Sequence, residues 1–557
     1  MSEKASGRTG ESFTGLLICV LVCGLVRAAW LARFPADPTG PVDAEGFHLL
    51  AVNMLAGRGF AIGWAPPFCP TAIRPPLYPL FLAGSYVLLG AAPAHAVPVQ
   101  LLLEALTTAL VVRLGREVGG AKVGWLSGLL YAFNGTTQRY TGYLLSEALL
   151  LPLLAAAVLT TVRGVRQPSS RGMALAGLFW GLALLTKPNV QFLALAVGVM
   201  ITLAALRART SPPATQTPLR VADRVRRGVV FWGVLAAVLF PWTLRNRLVF
   251  GRWILSTAFE ENLARVSAVA TMAEVRGVRA EPWTETWEYL YGQLVETTAT
   301  RYGWDTAQGA ELSCDERNLR HNQLTTVARE TVIRHLGTYA PAHLRGVVLS
   351  LLDPGHRLWY RVLTGRSWES TGVVPNIWQR MAWSLERWAV GDAIRAFWQE
   401  RVTRLPPDAA LIWWGLVLAR AAVWGLGLRG AWRLRHQPPV ALALVGAVAY
   451  ILLLPGPIAY DRFYLPAIPP VVVLVASGAL GFDLQAGDLG AFFHLTHHKR
   501  DEQDQRQVDQ PDEGQHRHLV VEFAHNAPRF AEEIRHGDEG DHRGILDHIG
   551  CFVGPRS

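Results

Sequence analysis

Acidic and basic side chains stand at the ends of long apolar segments in this 557-residue sequence. Asp43 and Glu45 open a helix-like run that reaches Leu55, and Glu147 opens a second apolar segment. Arg74 stands between them in a proline-rich stretch. A carboxylate can act as a general base, and a fixed cation can stabilise negative charge. These are residue types from which a catalytic or binding site could be built.

The same residues also have a purely structural explanation. Acidic residues in the first turn of a helix are favoured by the helix dipole, which alone would account for Asp43 and Glu45. The residues that follow Arg74 are typical of a loop of fixed shape, and they are Pro75, Pro76, Tyr78 and Pro79. The neighbourhood of these residues must therefore decide between the two explanations.

The elements that would position these residues are strongly apolar. Of all residues, 51% are hydrophobic and only 17% are charged, against about 25% charged in ordinary soluble domains. Apolar runs of roughly 18 residues or more can cross a bilayer, and these segments are apolar on every face. We therefore predict an all-α, polytopic membrane protein. The net charge is +10, but the basic residues stand between apolar segments, where they determine which side of the membrane each loop occupies. We therefore expect no nucleic-acid partner.

Ten crossings that start inside place every basic cluster on the cytoplasmic side. The apolar segment Leu77–Gly90 does not fit this scheme unless it lies at the outer interface, which its short length and its prolines favour. The predicted spans are 13–33, 95–115, 122–139, 143–162, 172–188, 189–206, 228–247, 408–428, 438–456 and 462–481. The predicted regions are a membrane core at 1–250 with its first outer loop at 34–94, an outer interfacial region of mixed structure at 251–407, further membrane helices at 408–481, and a polar, disordered cytoplasmic tail at 482–557.

This topology brings two carboxylates and several cations to the same outer side of the membrane. An ionisable residue at the end of an apolar helix is costly unless it faces a cavity or a partner. Cys69 and Cys314 would also lie outside, where they could either form a disulfide or remain free. The outer charged residues are Asp43, Arg74, Glu147, Lys187, Arg245 and Arg462.

Six segments in this order resemble membrane glycosyltransferases of the GT-C class. The sequence is similar to bacterial aminoarabinose and galacturonic-acid transferases of lipopolysaccharide and to protein O-mannosyltransferases, well over residues 13–250 and more weakly over 455–480. The segments are Asp43 near the start of the first outer loop, RPPLYPLFLAG from Arg74, LLSEALLLPLL around Glu147, GLALLTKPN with Lys187, FPWTLRN with Arg245 and YDRFYLPAIPP with Arg462.

The resemblance implies transfer of a sugar from a polyprenyl-phosphate carrier to an acceptor hydroxyl, with inversion. Asp43 matches the family's catalytic position and would be the general base, a role that Glu45 could take instead. Arg74 would hold the phosphate, and Glu147 would orient the acceptor or Arg74. The implied substrate contacts are Glu45, Tyr78, Lys187, Arg245 and Arg462, although Arg245 and Arg462 could instead anchor helix ends.

The resemblance also implies the surroundings of the reaction. The donor would be a polyprenyl-phosphate-linked sugar, the acceptor a lipid, a glycan or a protein, and the site would lie on the extracytoplasmic face of the plasma membrane. We expect no cofactor and no metal, because no His, Asp and Glu cluster with ligand spacing lies near these positions.

Two other classes of protein remain as alternatives. A transporter or flippase of lipid-linked sugars would place charges or broken helices near the bilayer midplane, often in two repeated halves. Here the charges lie at outer helix ends and no repeat is found. A non-catalytic scaffold with the same fold is disfavoured only by the presence of Asp43, Arg74 and Glu147.

Overall fold

A computed structural model describes residues 3–40, 42–167, 169–207, 221–278, 280–305, 312–373, 377–386, 388–457 and 461–480. The predicted tail at 482–557 lies outside these residues. Within them the chain is helical apart from one antiparallel pair of two-residue strands, β1 (Ala61–Ile62) and β2 (Cys69–Pro70).

The described residues up to position 250 form nine helices. In chain order these are α1 (Glu3–Arg33), α2 (Val42–Leu55), α3 (Leu77–Leu89), α4 (Pro93–Ala132), α5 (Gly135–Tyr140), α6 (Glu147–Arg166), α7 (Ser170–Thr186), α8 (Gln191–Arg207) and α9 (Val221–Phe250). The predicted helix from Asp43 to Leu55 corresponds to α2.

Eleven further helices follow in the described residues. They are α10 (Ala258–Asn262), α11 (Val269–Val275), α12 (Glu285–Tyr302), α13 (Cys314–Arg334), α14 (Leu336–Leu352), α15 (His356–Thr364), α16 (Ile377–Glu386), α17 (Val390–Trp398), α18 (Pro407–Arg433), α19 (Pro438–Leu453) and α20 (Ile468–Ala479). A 3-10 turn, Asp461–Ala467, precedes α20. The described part of 251–407 is thus helical, where the sequence suggested mixed structure.

Helix α4 folds back on itself, which explains why one element contains two predicted spans. The backbone leaves the helical conformation at Gly119 and Gly120. A Cβ at Gly115 would lie 2.9 Å from the Cα of Gly124, so the two arms run side by side. Glycines permit this close approach because they carry no side chain.

In the part of the chain that the structure describes, six helices are long and apolar enough to cross a membrane. They are Thr14–Arg33, Pro93–Ala132, Glu147–Arg166, Val225–Phe250, Pro407–His436 and Arg462–Ala479. Four shorter apolar helices accompany them, at Leu77–Leu89, Ser170–Thr186, Pro188–Leu203 and Pro438–Leu453. The protein is a multi-pass membrane protein, but the predicted number of ten spans is not confirmed.

The membrane helices pack through small residues. A Cβ at Gly430 of α18 would lie 1.9 Å from the Leu474 carbonyl oxygen of α20, and one at Gly478 would lie 1.9 Å from the Leu426 carbonyl oxygen. Without side chains at these two positions the backbones of α18 and α20 meet directly, as is common between helices in membranes. This contact fixes the C-terminal helix that follows Arg462.

The first outer loop is joined to the region that follows α9. Cys69 and Cys314 form a disulfide, with their Cα atoms 5.3 Å apart. The backbone N–H of Thr257 donates to the Ala72 carbonyl over 2.9 Å, and the Ser256 hydroxyl donates to the Ile73 carbonyl. These contacts hold the loop immediately before Arg74.

Candidate active site

Asp43 accepts hydrogen bonds from two arginines that are distant from it in the sequence. It lies in the first turn of α2, where one carboxylate oxygen accepts a hydrogen bond from Arg74 Nη1 at 3.0 Å. The other oxygen accepts one from Arg462 Nη1 at 2.7 Å. The Asp43 side chain keeps 44% of its surface exposed, so it remains accessible between the two guanidinium groups.

Arg462 joins Asp43 to a second carboxylate. Its Nε donates to Glu147 Oε1 at 2.8 Å, and its Nη2 lies 3.4 Å from Glu147 Oε2. Lys187 Nζ donates to the same Oε1 at 2.8 Å. The Glu147 side chain is only 3% exposed, and burial of a carboxylate requires such partners. The structure thus unites Asp43, Arg74, Glu147, Lys187 and Arg462, which we call the ion cluster.

Four members of the ion cluster stand at or beside the end of a helix or 3-10 turn, and Arg74 lies in the loop before α3. Glu147 begins α6, Lys187 follows α7, and Arg462 lies in the turn before α20. Acidic residues are stabilised at helix N-termini, and both carboxylates occupy such positions. The helix dipole and a functional role are therefore compatible explanations for Asp43 and Glu147.

The ion cluster carries one net positive charge, because its three cations outnumber its two carboxylates. Burial raises the pKa of Asp43, but the positive charges of Arg74, Arg462 and Lys187 outweigh it and hold the pKa well below its usual value. Asp43 is therefore ionised at neutral pH. An excess of fixed positive charge favours the binding of an anion, such as a phosphate group.

The guanidinium of Arg74 packs against two residues of α2. It lies over the ring of Phe47 at 4.4 Å, a cation–π contact. A Cβ at Gly46 would lie 2.6 Å from Arg74 Nη2, so a larger residue there would displace the guanidinium from this position. The sequence showed no signal for Phe47 or Gly46, since their role depends on a residue about thirty positions away.

Three of the predicted substrate contacts lie outside the ion cluster. Glu45 forms no ion pair within the described residues. Tyr78 is fully buried, and its hydroxyl donates to Gln100 Oε1 at 2.7 Å. Arg245 donates to the carbonyls of Thr71 and Phe60 at 2.8 and 3.2 Å. The contacts of Arg245 join the first outer loop to α9.

Glu147 also faces a small polar cavity inside the helix bundle. Glu104, a buried residue of α4 that the sequence did not single out, also lines this cavity. Glu104 pairs with Arg27 of α1 at 3.5 Å and accepts a hydrogen bond from Tyr131 at 2.8 Å. A carboxylate among apolar helices needs such partners. This second network shares a cavity with Glu147 of the ion cluster.

No group of three or more potential metal ligands occurs among the residues that the structure describes. The side chains of the ion cluster are already engaged in ion pairs, and three of the five are cations. Their chemistry suits an anion rather than a metal ion.

The comparisons with known proteins agree with the predicted resemblance. Residues 73–216 match the family model of dolichyl-phosphate-mannose-protein mannosyltransferases, a stretch that contains Arg74, Glu147 and Lys187. The predicted similarity to GT-C membrane glycosyltransferases is therefore confirmed. No curated protein sequence matches the chain.

Among solved structures, the chain aligns with archaeal oligosaccharyltransferase AglB from Archaeoglobus fulgidus, in complex with an inhibitory peptide and a dolichol-phosphate. The alignment covers 99% of this chain and 57% of that one, at 13% identity and a TM-score of 0.43. ArnT from Cupriavidus metallidurans, bound to undecaprenyl phosphate, aligns over 84% of this chain and 77% of that one, at 13% identity and a TM-score of 0.30. The chain therefore spans little more than half the length of AglB.

Proposed function

We propose that the protein is a glycosyltransferase that moves a sugar from a polyprenyl-phosphate donor to an acceptor hydroxyl on a lipid, a glycan or a protein. The observation that carries this proposal is the ion cluster, in which an accessible carboxylate, Asp43, lies between two guanidinium groups. The family match at residues 73–216 supports the reaction class. The outer side of the plasma membrane is the proposed location, because the predicted topology places the cluster there.

In the proposed reaction the acceptor oxygen attacks the anomeric carbon as the bond from that carbon to the phosphate oxygen breaks. The acceptor gives its proton to Asp43, and the polyprenyl phosphate leaves with the electron pair of the broken bond. Attack opposite the leaving group inverts the anomeric centre. Arg74 and Arg462 would stabilise the charge that develops on the phosphate.

The ion pairs of Asp43 suggest how the donor prepares the base. With both guanidinium groups bound to it, the Asp43 carboxylate has a low proton affinity. A donor phosphate would compete for Arg74 and Arg462 and draw them from the carboxylate. Asp43 would then become a stronger base only when the donor is bound.

Substitution Asp43→Asn tests this proposal, with Glu45→Gln as the matched control on the same helix. Loss of a general base typically lowers a rate by 10²- to 10⁴-fold, so we expect kcat for polyprenyl-phosphate release to fall by about this factor. Donor binding should persist, since the substitution removes a negative charge. Wild-type turnover in purified, folded Asp43→Asn would show that the base is another residue.

A further inference from the structure

A second cavity shares the 3-10 turn Asp461–Ala467 with the ion cluster. Arg462 of this turn joins the ion cluster, whereas Tyr464 and Ala467 line the cavity. The cavity is partly open, and about 160 Å³ of its space is accessible to a water-sized molecule. Its walls also include the mid-part of α18, the start of α20 and the end of α14.

One wall of the cavity is apolar. It is formed by Val423 of α18, Leu452 of α19, and Ile468 and Val471 of α20. These residues belong to membrane helices, so the wall is well suited to a hydrocarbon chain. The rest of the lining contains several polar groups, which contact with a hydrocarbon chain alone would not require.

Tyr464 supplies a buried hydroxyl to the cavity lining. The residue is 9% exposed, and its hydroxyl lies beside the Ser350 side chain but makes no hydrogen bond of normal geometry within the described residues. A buried polar group left unsatisfied is unfavourable. A ligand oxygen in the cavity would accept from this hydroxyl or donate to it.

The charged groups that line the cavity are balanced. Arg420 of α18 donates to the carbonyls of Leu351 and Ser350 at 3.2 and 3.1 Å, which fixes its positive charge at the end of α14. Asp353 lines the same cavity with a negative charge. An ionisable residue within a membrane helix usually faces a functional cavity. Because one charge of each sign is present, the lining favours a ligand with a neutral head.

Two indole rings complete the lining. Trp424 is held in place by a hydrogen bond from its Nε1 to the Leu351 carbonyl at 3.2 Å. Trp359 packs against Gly135, where a Cβ would lie 2.3 Å from the ring. Fixed indole faces beside hydroxyl and amide groups suit a ring that carries many hydroxyls, such as a sugar.

We propose that this cavity binds an amphiphile with a neutral, hydroxyl-rich head and a hydrocarbon chain. The head lies between Tyr464, Asp353 and the two tryptophans, and the chain runs along α18 and α20. This binding is independent of the proposed transfer reaction. The same chemistry describes a glycolipid of the surrounding membrane and an acceptor that awaits transfer.

The test uses the purified full-length chain in a phosphocholine detergent, with a dodecyl glucoside that carries a diazirine in its chain as the probe. After photolysis we expect saturable labelling of peptides from α18 around Val423 and from α20 around Ile468. Unlabelled dodecyl glucoside should compete at least tenfold better than additional dodecylphosphocholine, which has the same chain and a zwitterionic head without hydroxyl groups. Equal competition by the two, or labelling spread evenly over all membrane helices, would overturn the proposal.

Two substitutions locate the site. Ala467→Phe fills the cavity and should abolish saturable labelling. Tyr464→Phe removes only the hydroxyl, so the protein should stay folded while the Kd for the glucoside rises about fivefold, the usual effect of one neutral hydrogen bond. Tyr339→Phe makes the same change outside the cavity and should leave the Kd unchanged. An unchanged Kd in Tyr464→Phe would also overturn the proposal.

A donor assay then separates the two sources of the ligand. If the bound glucoside gains the mass of a transferred sugar, the cavity holds the acceptor. If it is retained unmodified while transfer proceeds to another molecule, the cavity holds a resident glycolipid. Either result requires the binding that the first experiment measures, and neither depends on the identity of the general base.

Discussion

Arg462 should stabilise the protein through Glu147 more than through Asp43, although it contacts both. Substitution Arg462→Met removes the guanidinium and keeps a side chain of similar length. The bonds to Glu147 involve a carboxylate that is 3% exposed, whereas the Asp43 side chain is 44% exposed. Hydrogen bonds to charged groups contribute about 1.5–3 kcal/mol when they are buried, and solvent-exposed ion pairs about 0.2–1 kcal/mol.

Double-mutant cycles on the free energy of unfolding measure these two couplings separately. For Arg462→Met with Glu147→Gln we expect a coupling of about 2 kcal/mol, since Lys187 still holds part of the Glu147 charge. For Arg462→Met with Asp43→Asn we expect about 0.5–1 kcal/mol. Each cycle needs the free energy of unfolding of four proteins, which denaturant titration in a mild detergent provides.

The order of the two couplings is the decisive result. A coupling to Asp43 as large as that to Glu147 would show that burial does not control these ion pairs. A coupling to Glu147 below about 0.5 kcal/mol, the usual error of additivity, would show that Lys187 alone satisfies the carboxylate. In either case the expected difference between the two ion pairs of Arg462 would be refuted.

Three further predictions concern the surroundings of Asp43. Gly46→Ala should displace the guanidinium that it faces and raise the donor KM about tenfold, whereas Gly84→Ala, at an open helical position, should not; equal KM values in the two variants would contradict this. Replacing Cys69 and Cys314 by Ser should lower the free energy of unfolding by about 2–5 kcal/mol, and an unchanged denaturation midpoint would show that the remaining contacts suffice. Folding lowers the pKa of Asp43. The charge of Asp43 therefore stabilises the folded state at any pH above the unfolded pKa of about 3.9. This stabilisation is lost as the pH falls through the pKa of Asp43 in the folded protein. The kcat/KM of the free enzyme should accordingly show no titration of Asp43 between pH 7 and 5, and an acid limb there that moves in Asp43→Glu would disprove it.

The sequence predicted the membrane helices and the residues of the ion cluster, because both depend on local patterns. Apolar runs and helix-end charges can be read from residue spacing. Asp43 and Glu147 were recognisable as acidic residues at helix starts, and Lys187 as a cation beside a proline. Their grouping on one side followed from counting the crossings between them.

The partners of these residues could not be predicted. Arg462 lies 419 positions from Asp43, and no periodicity links two such residues. Arg245 has the same residue type and the same predicted side, yet its guanidinium binds backbone carbonyls of the first outer loop. Whether an arginine binds a carboxylate or a backbone carbonyl depends on tertiary packing, which cannot be inferred from composition.

The disulfide between Cys69 and Cys314 also has a consequence for biosynthesis. The two residues are 245 positions apart, so at roughly 5–20 residues per second the first cysteine waits about 12–49 s for the second. Throughout that interval the loop that carries Arg74 lacks its covalent link, and Arg462 has yet to be made. Four members of the ion cluster are made before Cys314, but assembly of the cluster must wait until Arg462 has been translated.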